Sequence, residues 1–134
     1  MIESLTASVV LLLAVVAASM ALHAGRQHTL ESEDQLQAAL AAEAKLSQIL
    51  ADDYLNMKEY NGDDEPPGAM VTTNGTSYPN EAYRIGRRVT VEDHQQKFPG
   101  LGVVIDGLQI TVTAYDQDER RVCTLTRFVP KPSQ

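Results

Sequence analysis

Tryptophan is absent from this 134-residue chain, which has one cysteine, three histidines, two phenylalanines and five tyrosines. A lone Cys123 excludes an intramolecular disulfide. The histidines, His23, His28 and His94, are too scattered in the sequence to form a metal-binding motif. So few aromatic side chains also argue against a large ligand-stacking surface. We therefore expect neither a metal nor an organic cofactor.

Basic residues are outnumbered, with 11 Lys and Arg against 18 Asp and Glu, for a formal net charge of −7. Nucleic acid is not expected as a partner, because phosphate binding needs clustered Lys and Arg. No serine lies in a nucleophile motif. Cys123 lies within a predicted strand among apolar neighbours, which favours a buried inert thiol, and His94 is expected on the surface. These observations argue against an enzyme.

Acidic residues gather in two predicted loops, at positions 63–65 and 116–119. Carboxylates of this kind can bind calcium through their oxygens. Neither group has a recognisable calcium-loop spacing, and acids in turns are usually solvated. We therefore expect solvated loops rather than metal sites. The residues concerned are Asp63, Asp64, Glu65, Asp116, Asp118 and Glu119.

Charge is missing from residues 4–25, which contain no Asp, Glu, Lys or Arg. A helix needs about 20 mostly apolar residues to cross a bilayer, so this segment is long enough to span one. Glu3 stands immediately before it, where a carboxylate is costly to bury and therefore suggests a function. A cleaved secretory signal is the weaker alternative. Residues 19–21 would suit a signal peptidase, but residues 1–4 lack the positive side chains of such signals.

The helical pattern continues beyond this segment, with no proline as far as Tyr54 and no glycine after Gly25. We expect one helix from Ile2 to about Tyr54, in which Gly25 marks a bend rather than an end. Apolar residues recur at three- and four-residue steps and predict a stripe that packs on other structure. Lys45 belongs to the opposite, solvent-facing side. The predicted stripe contains Leu36, Ala39, Leu40, Ala44, Leu46, Ile49, Leu50 and Met57.

Alternating patterns predict strands at 83–85, 88–92, 108–115 and 121–128, with loops at 61–80, 98–102 and 116–119 and a bulge or bend at Gly86. They form an antiparallel meander. The predicted fold is α+β, with a long N-terminal transmembrane and amphipathic helix packed on a small antiparallel sheet. Residues 1–25 form the transmembrane half of the helix and residues 26–60 its amphipathic continuation. Residues 61–134 supply the loop and sheet, and form one globular domain with 26–60.

The opening Met1-Ile2-Glu3, followed by residues 4–10, resembles that of type IV pilin-like proteins, where Phe-Thr-Leu-Ile-Glu leads into a hydrophobic helix. Glu3 matches the family's glutamate and Met1 its leucine position. The order of parts agrees, and the last third is similar to minor pilins and to minor pseudopilins of type II secretion. The chain lacks the cysteine pair of many major pilins, which favours a minor subunit. The resemblance also implies a short basic leader, ending in glycine, encoded upstream.

This resemblance implies a structural subunit of a pilus-like or pseudopilus filament, acting in assembly or initiation. Glu3 would meet the free terminal amine of a neighbouring subunit and set its register. The apolar helix, with Leu5, Val9, Leu12 and Val16, would pack against other subunits. Implied partners are other pilin or pseudopilin subunits and the inner-membrane assembly machinery. The protein would be a single-pass inner-membrane protein with its C-terminal domain periplasmic or extracellular. The resemblance also allows a filament at the cell surface.

From the residues alone, other interpretations stay open. Glu3 would then lie among lipid headgroups and cap the helix. The chain would be a single-span membrane-anchored binding module, with a periplasmic or extracellular domain and no filament. The machine that a filament would serve, whether pilus, secretion or DNA uptake, is also left open.

Overall fold

The computed structural model describes residues 2–72, 74–79 and 84–132, with side chains described from residue 7 onward. A long helix is followed by a short 3-10 helix and a sheet, so the predicted α+β class is confirmed. Two compact units are present, Met1–Glu33 and Asp34–Gln134. The elements are α1 (Ile2–Leu50), the 3-10 helix (Asn56–Tyr60), β1 (Asp64–Glu65), β2 (Gly86–Phe98), β3 (Val103–Tyr115) and β4 (Arg121–Pro130).

Helix α1 contains the predicted membrane-spanning segment and runs through Gly25, so this glycine does not end the helix. An 18-residue window within α1 has a mean hydropathy of 2.2 and none of it is buried. The hydroxyl of Ser19 donates a hydrogen bond to the Val15 carbonyl oxygen at 2.8 Å. This bond matters because an unsatisfied polar group is costly in hydrocarbon. The helix is therefore long and apolar enough to cross a bilayer.

The sheet is an antiparallel meander in the order β1-β2-β3-β4. β2 and β3 pair from Gly86 with Tyr115 to Phe98 with Val103, and both strands are longer than predicted. Residues 99–102 form the connecting turn. The second predicted turn is confirmed at Asp116, whose carboxylate accepts hydrogen bonds from the backbone N–H groups of residues 118 and 120.

The predicted bulge at Gly86 is wrong, because the irregularity lies in β3 between Ala114 and Tyr115, where the pairing with β4 shifts. Gly86 instead begins β2 beneath the Tyr115 ring, and an added Cβ would lie 2.8 Å from that ring. Of the predicted strand at 83–85, Tyr83 lies outside the described residues, and Arg84 and Ile85 precede β2 without strand structure. A close aromatic contact, not a bulge, therefore explains this glycine.

The C-terminal part of α1 packs on the sheet through a face that includes only part of the predicted stripe. Ile49 and Met57 lie in the core and Leu46 and Leu50 pack against it, as predicted. Leu36 and Leu40 are 62% and 54% exposed, whereas Lys45, expected in solvent, is only 5% exposed. Alanines on the packing face let the helix approach the sheet closely. The buried core residues of helix and sheet are Ala38, Ala41, Ala42, Ile49, Val89, Val91, Leu108, Ile110 and Val112.

Helix α1 ends at Leu50, four residues before the predicted end at Tyr54. The Asp52 carboxylate accepts hydrogen bonds from the Asp53 backbone N–H at 2.8 Å and the Asn56 side chain at 3.2 Å. Such local side-chain bonds compete with helical hydrogen bonding. The 3-10 helix follows and buries Met57 against the core.

Gly107→Ala tests the closest approach within the sheet. An added Cβ would collide with the Val129 carbonyl oxygen and lie 2.7 Å from the Phe128 ring. We expect a loss of about 1–3 kcal/mol of unfolding free energy, the usual range for overpacking. Gly100→Ala is the control, because nothing lies within 4 Å of its added Cβ. Denaturant unfolding of the full chain in detergent, followed by circular dichroism, measures both. Equal stability of the two variants would contradict the packing argument.

Candidate functional site

The predicted assembly residues all belong to the first part of α1. Glu3 and Leu5 lie in the helix, but their side chains fall outside those described. Val9, Leu12 and Val16 are 50%, 68% and 44% exposed. Steps of three and four residues bring these three side chains to one side of a helix. These three side chains are therefore exposed together on one side of the helix.

A buried ion cluster of Lys45, Asp63, Glu65 and Arg87 lies between α1 and the sheet, and the sequence did not indicate it. Lys45 Nζ lies 2.5 Å from Asp63 Oδ2 and 2.6 Å from Glu65 Oε1. Arg87 donates to Glu65 Oε2 from Nε at 3.0 Å and from Nη2 at 2.8 Å. Lys45 and Arg87 are only 5% and 2% exposed. The cluster therefore satisfies two basic groups that are almost fully removed from water.

The guanidinium of Arg87 also joins segments that are distant in the chain. Its Nη1 donates to the Ala41 carbonyl oxygen at 3.0 Å, and its Nη2 donates to the Val71 carbonyl oxygen at 2.7 Å. β1 forms because Asp64 and Glu65 pair with Arg88 and Arg87 of β2. The helix, β1, β2 and the segment at Val71 thus meet at one side chain.

The prediction that residues 63–65 form a solvated loop is therefore wrong in part: residues 64 and 65 form a strand, whereas the side chains of Asp63 and Asp64 stay 39% and 38% exposed. Glu65 and Asp63 contact Lys45, and Asp64 forms part of a strand. The acidic run resembles an ordinary loop in sequence because its basic partners lie about 20 residues away on either side. No short motif links these positions, so pattern reasoning could not find the cluster.

The charges of the cluster stabilise one another. Burial opposes ionisation of Glu65, but hydrogen bonds from Lys45 and Arg87 outweigh it and lower the pKa of this carboxyl. Burial also disfavours the charged form of Lys45, yet hydrogen bonds to Asp63 and Glu65 raise its pKa overall. Lys45 and Glu65 are therefore both ionised near neutral pH.

A second set of contacts surrounds Asp64. The Tyr115 hydroxyl donates to Asp64 Oδ1 at 2.6 Å, and Arg88 Nη2 lies 3.0 Å from Asp64 Oδ2. Burial and the bond to Asp64 raise the pKa of Tyr115 to about 12. The Arg88 guanidinium lies 5.3 Å from the centre of the Tyr115 ring. Tyr115 is therefore a neutral donor that anchors β1 to β3.

The other candidate residues lie apart from these clusters. His94 is exposed, as predicted, with its ring centroid 6.0 Å from that of Phe128. Cys123 is half-buried on β4, less covered than expected. Among the described side chains, those of residues 7–72, 74–79 and 84–132, no three His, Cys, Asp or Glu are grouped to hold a metal ion.

No protein-family model, curated protein or solved structure matches this chain. The geometry defines an α+β protein with one N-terminal helix that is long and apolar enough to span a membrane. Its packing of helix on antiparallel sheet is compatible with a pilin-like fold.

Arg87→Met tests the buried ion cluster. Without Arg87, Lys45 is the one cation left for both Asp63 and Glu65, and the Ala41 and Val71 carbonyl oxygens lose their donor. We therefore expect a loss of about 3–5 kcal/mol of unfolding free energy. Arg88→Met is the matched control, because this neighbouring guanidinium is 52% exposed and pairs only at the surface. Denaturant unfolding of the two variants measures the difference. Similar losses of unfolding free energy in the two variants would show that the buried position of Arg87 adds nothing to its contribution.

The lowered pKa of Glu65 predicts a pH dependence. Its contribution to stability is complete above the ordinary carboxyl pKa of 4.5 and is lost as pH falls through the lower folded-state pKa. The contribution of Lys45 is complete below 10.5 and is lost as pH rises through its raised folded-state pKa. Glu65→Gln should flatten the acidic limb of unfolding free energy against pH. An acidic limb like that of the unaltered protein would show that Glu65 does not contribute to stability in this way.

Proposed function

We propose that this protein is a structural subunit of a type IV pilus-like or type II secretion pseudopilus filament, and that it is a minor subunit acting in assembly or initiation. The observation that carries the proposal is one helix with two parts. An exposed apolar part is able to span a membrane, and a later part is buried on a small antiparallel sheet. An element of this kind can anchor a subunit, bind its neighbours and hold an outer domain.

The proposed assembly surface is the apolar part of α1. Val9, Leu12 and Val16 are exposed on one side of it, and Leu5 belongs to the same run. Helices in lipid associate by close packing and not by the hydrophobic effect, so small residues favour their contact. The run supplies such residues between its larger ones: Ala7, Ser8, Ala14, Ala17, Ala18 and Ser19.

Glu3 would set the register between subunits. A carboxylate at the edge of hydrocarbon gains most from a cationic partner, and the positive end of a helix dipole also favours it. The terminal amine of a neighbouring subunit supplies both a charge and a fixed position. One ion pair per subunit then selects one relative height of the packed helices.

The buried ion cluster supports this role because it fixes the sheet to the helix. Arg87 binds the Ala41 carbonyl oxygen directly, and Lys45 of the helix contacts the acids around β1. A filament subunit needs such a connection, since forces on the outer domain must reach the helix. We place the protein as single-pass in the inner membrane, with the sheet in the periplasm or outside the cell. Its partners would be other subunits and the assembly machinery.

Glu3→Ala tests this proposal in cells that express the chain naturally. We expect incorporation into sheared filaments to fall at least about tenfold. The variant loses the ion pair between Glu3 and the neighbouring terminal amine, which in lipid is worth more than about 1.4 kcal/mol, and about 1.4 kcal/mol corresponds to a tenfold change in affinity. Insertion into the membrane fraction should not change. Glu33→Ala is the matched control, since this exposed carboxylate lies on the same helix beyond the apolar run. Immunoblots of filament and membrane fractions measure both.

Normal filament incorporation of Glu3→Ala would contradict the register role. Membrane insertion with no filament in the unaltered protein would favour the single-span anchored binding module instead.

A further inference from the structure

β4 forms one edge of the sheet, because it pairs with β3 on one side only. In residues 2–72, 74–79 and 84–132 no other strand lies along its outer side. An edge strand presents a row of unpaired backbone N–H and C=O groups, which is a template for pairing with another chain. β4 extends over Arg121–Pro130, so this edge is long enough to take a further strand.

The register of β4 shows which of its backbone groups point outward. Residues of an antiparallel pair alternate between those that exchange hydrogen bonds and those that do not. The Lys131 N–H donates to the carbonyl oxygen of Asp106 opposite it at 2.9 Å, so every second residue before Lys131 also bonds to β3. Pro130 falls in the outward set, which suits a residue without an N–H. The other outward-pointing groups belong to Thr124, Thr126 and Phe128.

The side of β4 that faces the helix carries apolar side chains that the fold covers only in part. Cys123, Leu125 and Val129 lie opposite β3 residues that are fully buried. These three side chains pack against the core but are themselves only half-buried. In the described part of the chain the core therefore ends at β4, and one more strand beside it would cover this row further.

The edge is basic on an acidic protein. Residues 120–134 contain four Arg and Lys and no Asp or Glu, whereas the whole chain has a net charge of −7. Arg121, Arg127 and Lys131 are exposed, and no described carboxylate lies within ion-pair distance of them. Arg127 lies opposite Ile110, so it shares the helix side of the strand with Leu125. A carboxylate on an added strand would therefore have a cation to pair with.

We propose that the outer edge of β4 pairs with an extended segment of a different, acidic protein chain. That segment places apolar side chains beside Leu125 and Val129 and a carboxylate beside Arg127. A second copy of this chain is a poorer occupant, because pairing two β4 edges sets like charges side by side. The surface lies on the sheet, whereas the proposed filament role rests on the apolar part of α1. The proposed contact therefore goes beyond that role and does not depend on it.

Amide hydrogen exchange tests whether the edge is open in the free protein. In the full chain in detergent micelles, we expect the N–H groups of Thr124, Thr126 and Phe128 to exchange quickly, since they point away from β3. The N–H groups of Leu125 and Arg127 should exchange slowly, because they bond to β3. NMR spectroscopy follows both sets in one experiment. Slow exchange along the whole strand would show that the edge is already covered, and would overturn the proposal.

A defined peptide tests the chemistry of the occupant. The probe is the fluorescent, end-blocked peptide Val-Thr-Glu-Thr-Val-Thr-Glu-Thr-Val, whose sequence is the same in both directions and so suits parallel or antiparallel pairing. We expect it to bind the full chain, measured by fluorescence anisotropy, and to slow exchange of the three outward N–H groups. The same peptide with lysine for glutamate should bind at least about tenfold more weakly, because opposite charges attract across a strand pair and like charges repel.

Two substitutions in β4 locate the contact. Thr126→Pro removes one outward N–H and leaves the hydrogen bonds to β3 in place. It should weaken binding of the acidic peptide by about fivefold, the effect of one lost hydrogen bond, whereas the matched control Thr126→Val keeps the N–H and should bind normally. Arg127→Glu should shift the preference toward the lysine peptide, and this readout remains if Thr126→Pro fails to fold.

Equal binding of the two peptides, or an unchanged preference in Arg127→Glu, would overturn the proposal. Protection of the outward N–H groups that rises with protein concentration, without peptide, would assign the edge to a second copy and overturn it as well. The assay needs no filament. The edge contact can therefore fail while the filament role stands, and the filament role can fail while the edge contact stands.

Discussion

The position of Glu65 between Lys45 and Arg87 is the constraint on which the folded unit depends. Lys45 is 5% exposed and Arg87 is 2% exposed, so both cations need anionic partners at their own depth. The acids around β1 supply them. This requirement turns the Lys45 side of α1 toward the sheet and holds a two-residue strand at the edge of β2. Without the two cations, Glu65 would be buried with no partner for its charge.

The orientation of the helix follows from this constraint. A buried ion cluster is a poor source of net stability, because desolvation offsets much of the attraction, but its geometry is demanding. Small alanines beside Lys45 let the helix approach, and Arg87 reaches the Ala41 carbonyl oxygen. Leu36 and Leu40 are consequently left outside. The buried side of the helix therefore combines Lys45 of the polar cluster with the small alanines and Ile49.

Apolar side chains remain exposed on the first part of α1, at Leu36 and Leu40, and on the β2–β3 hairpin at Leu101. The first part of α1 is long and apolar enough to cross a bilayer. The proposed roles in anchoring and register use this part of the helix, whereas the ion cluster fixes the later part to the sheet. The two tasks therefore fall on different residues of one helix.

Local patterns in the sequence determined the long helix, the strands near 88–92, 108–115 and 121–128, and the turn at Asp116, because each depends on neighbouring residues. The predicted stripe was right for Ile49 and Met57 but wrong for Leu36 and Leu40, which are exposed, and β1 was predicted as a solvated loop. Both errors have one physical cause. Burial of Lys45 depends on Asp63, Glu65 and the sheet, and only the tertiary structure brings these groups within hydrogen-bonding distance. Periodicity describes which residues share a face, whereas contacts decide which face is covered.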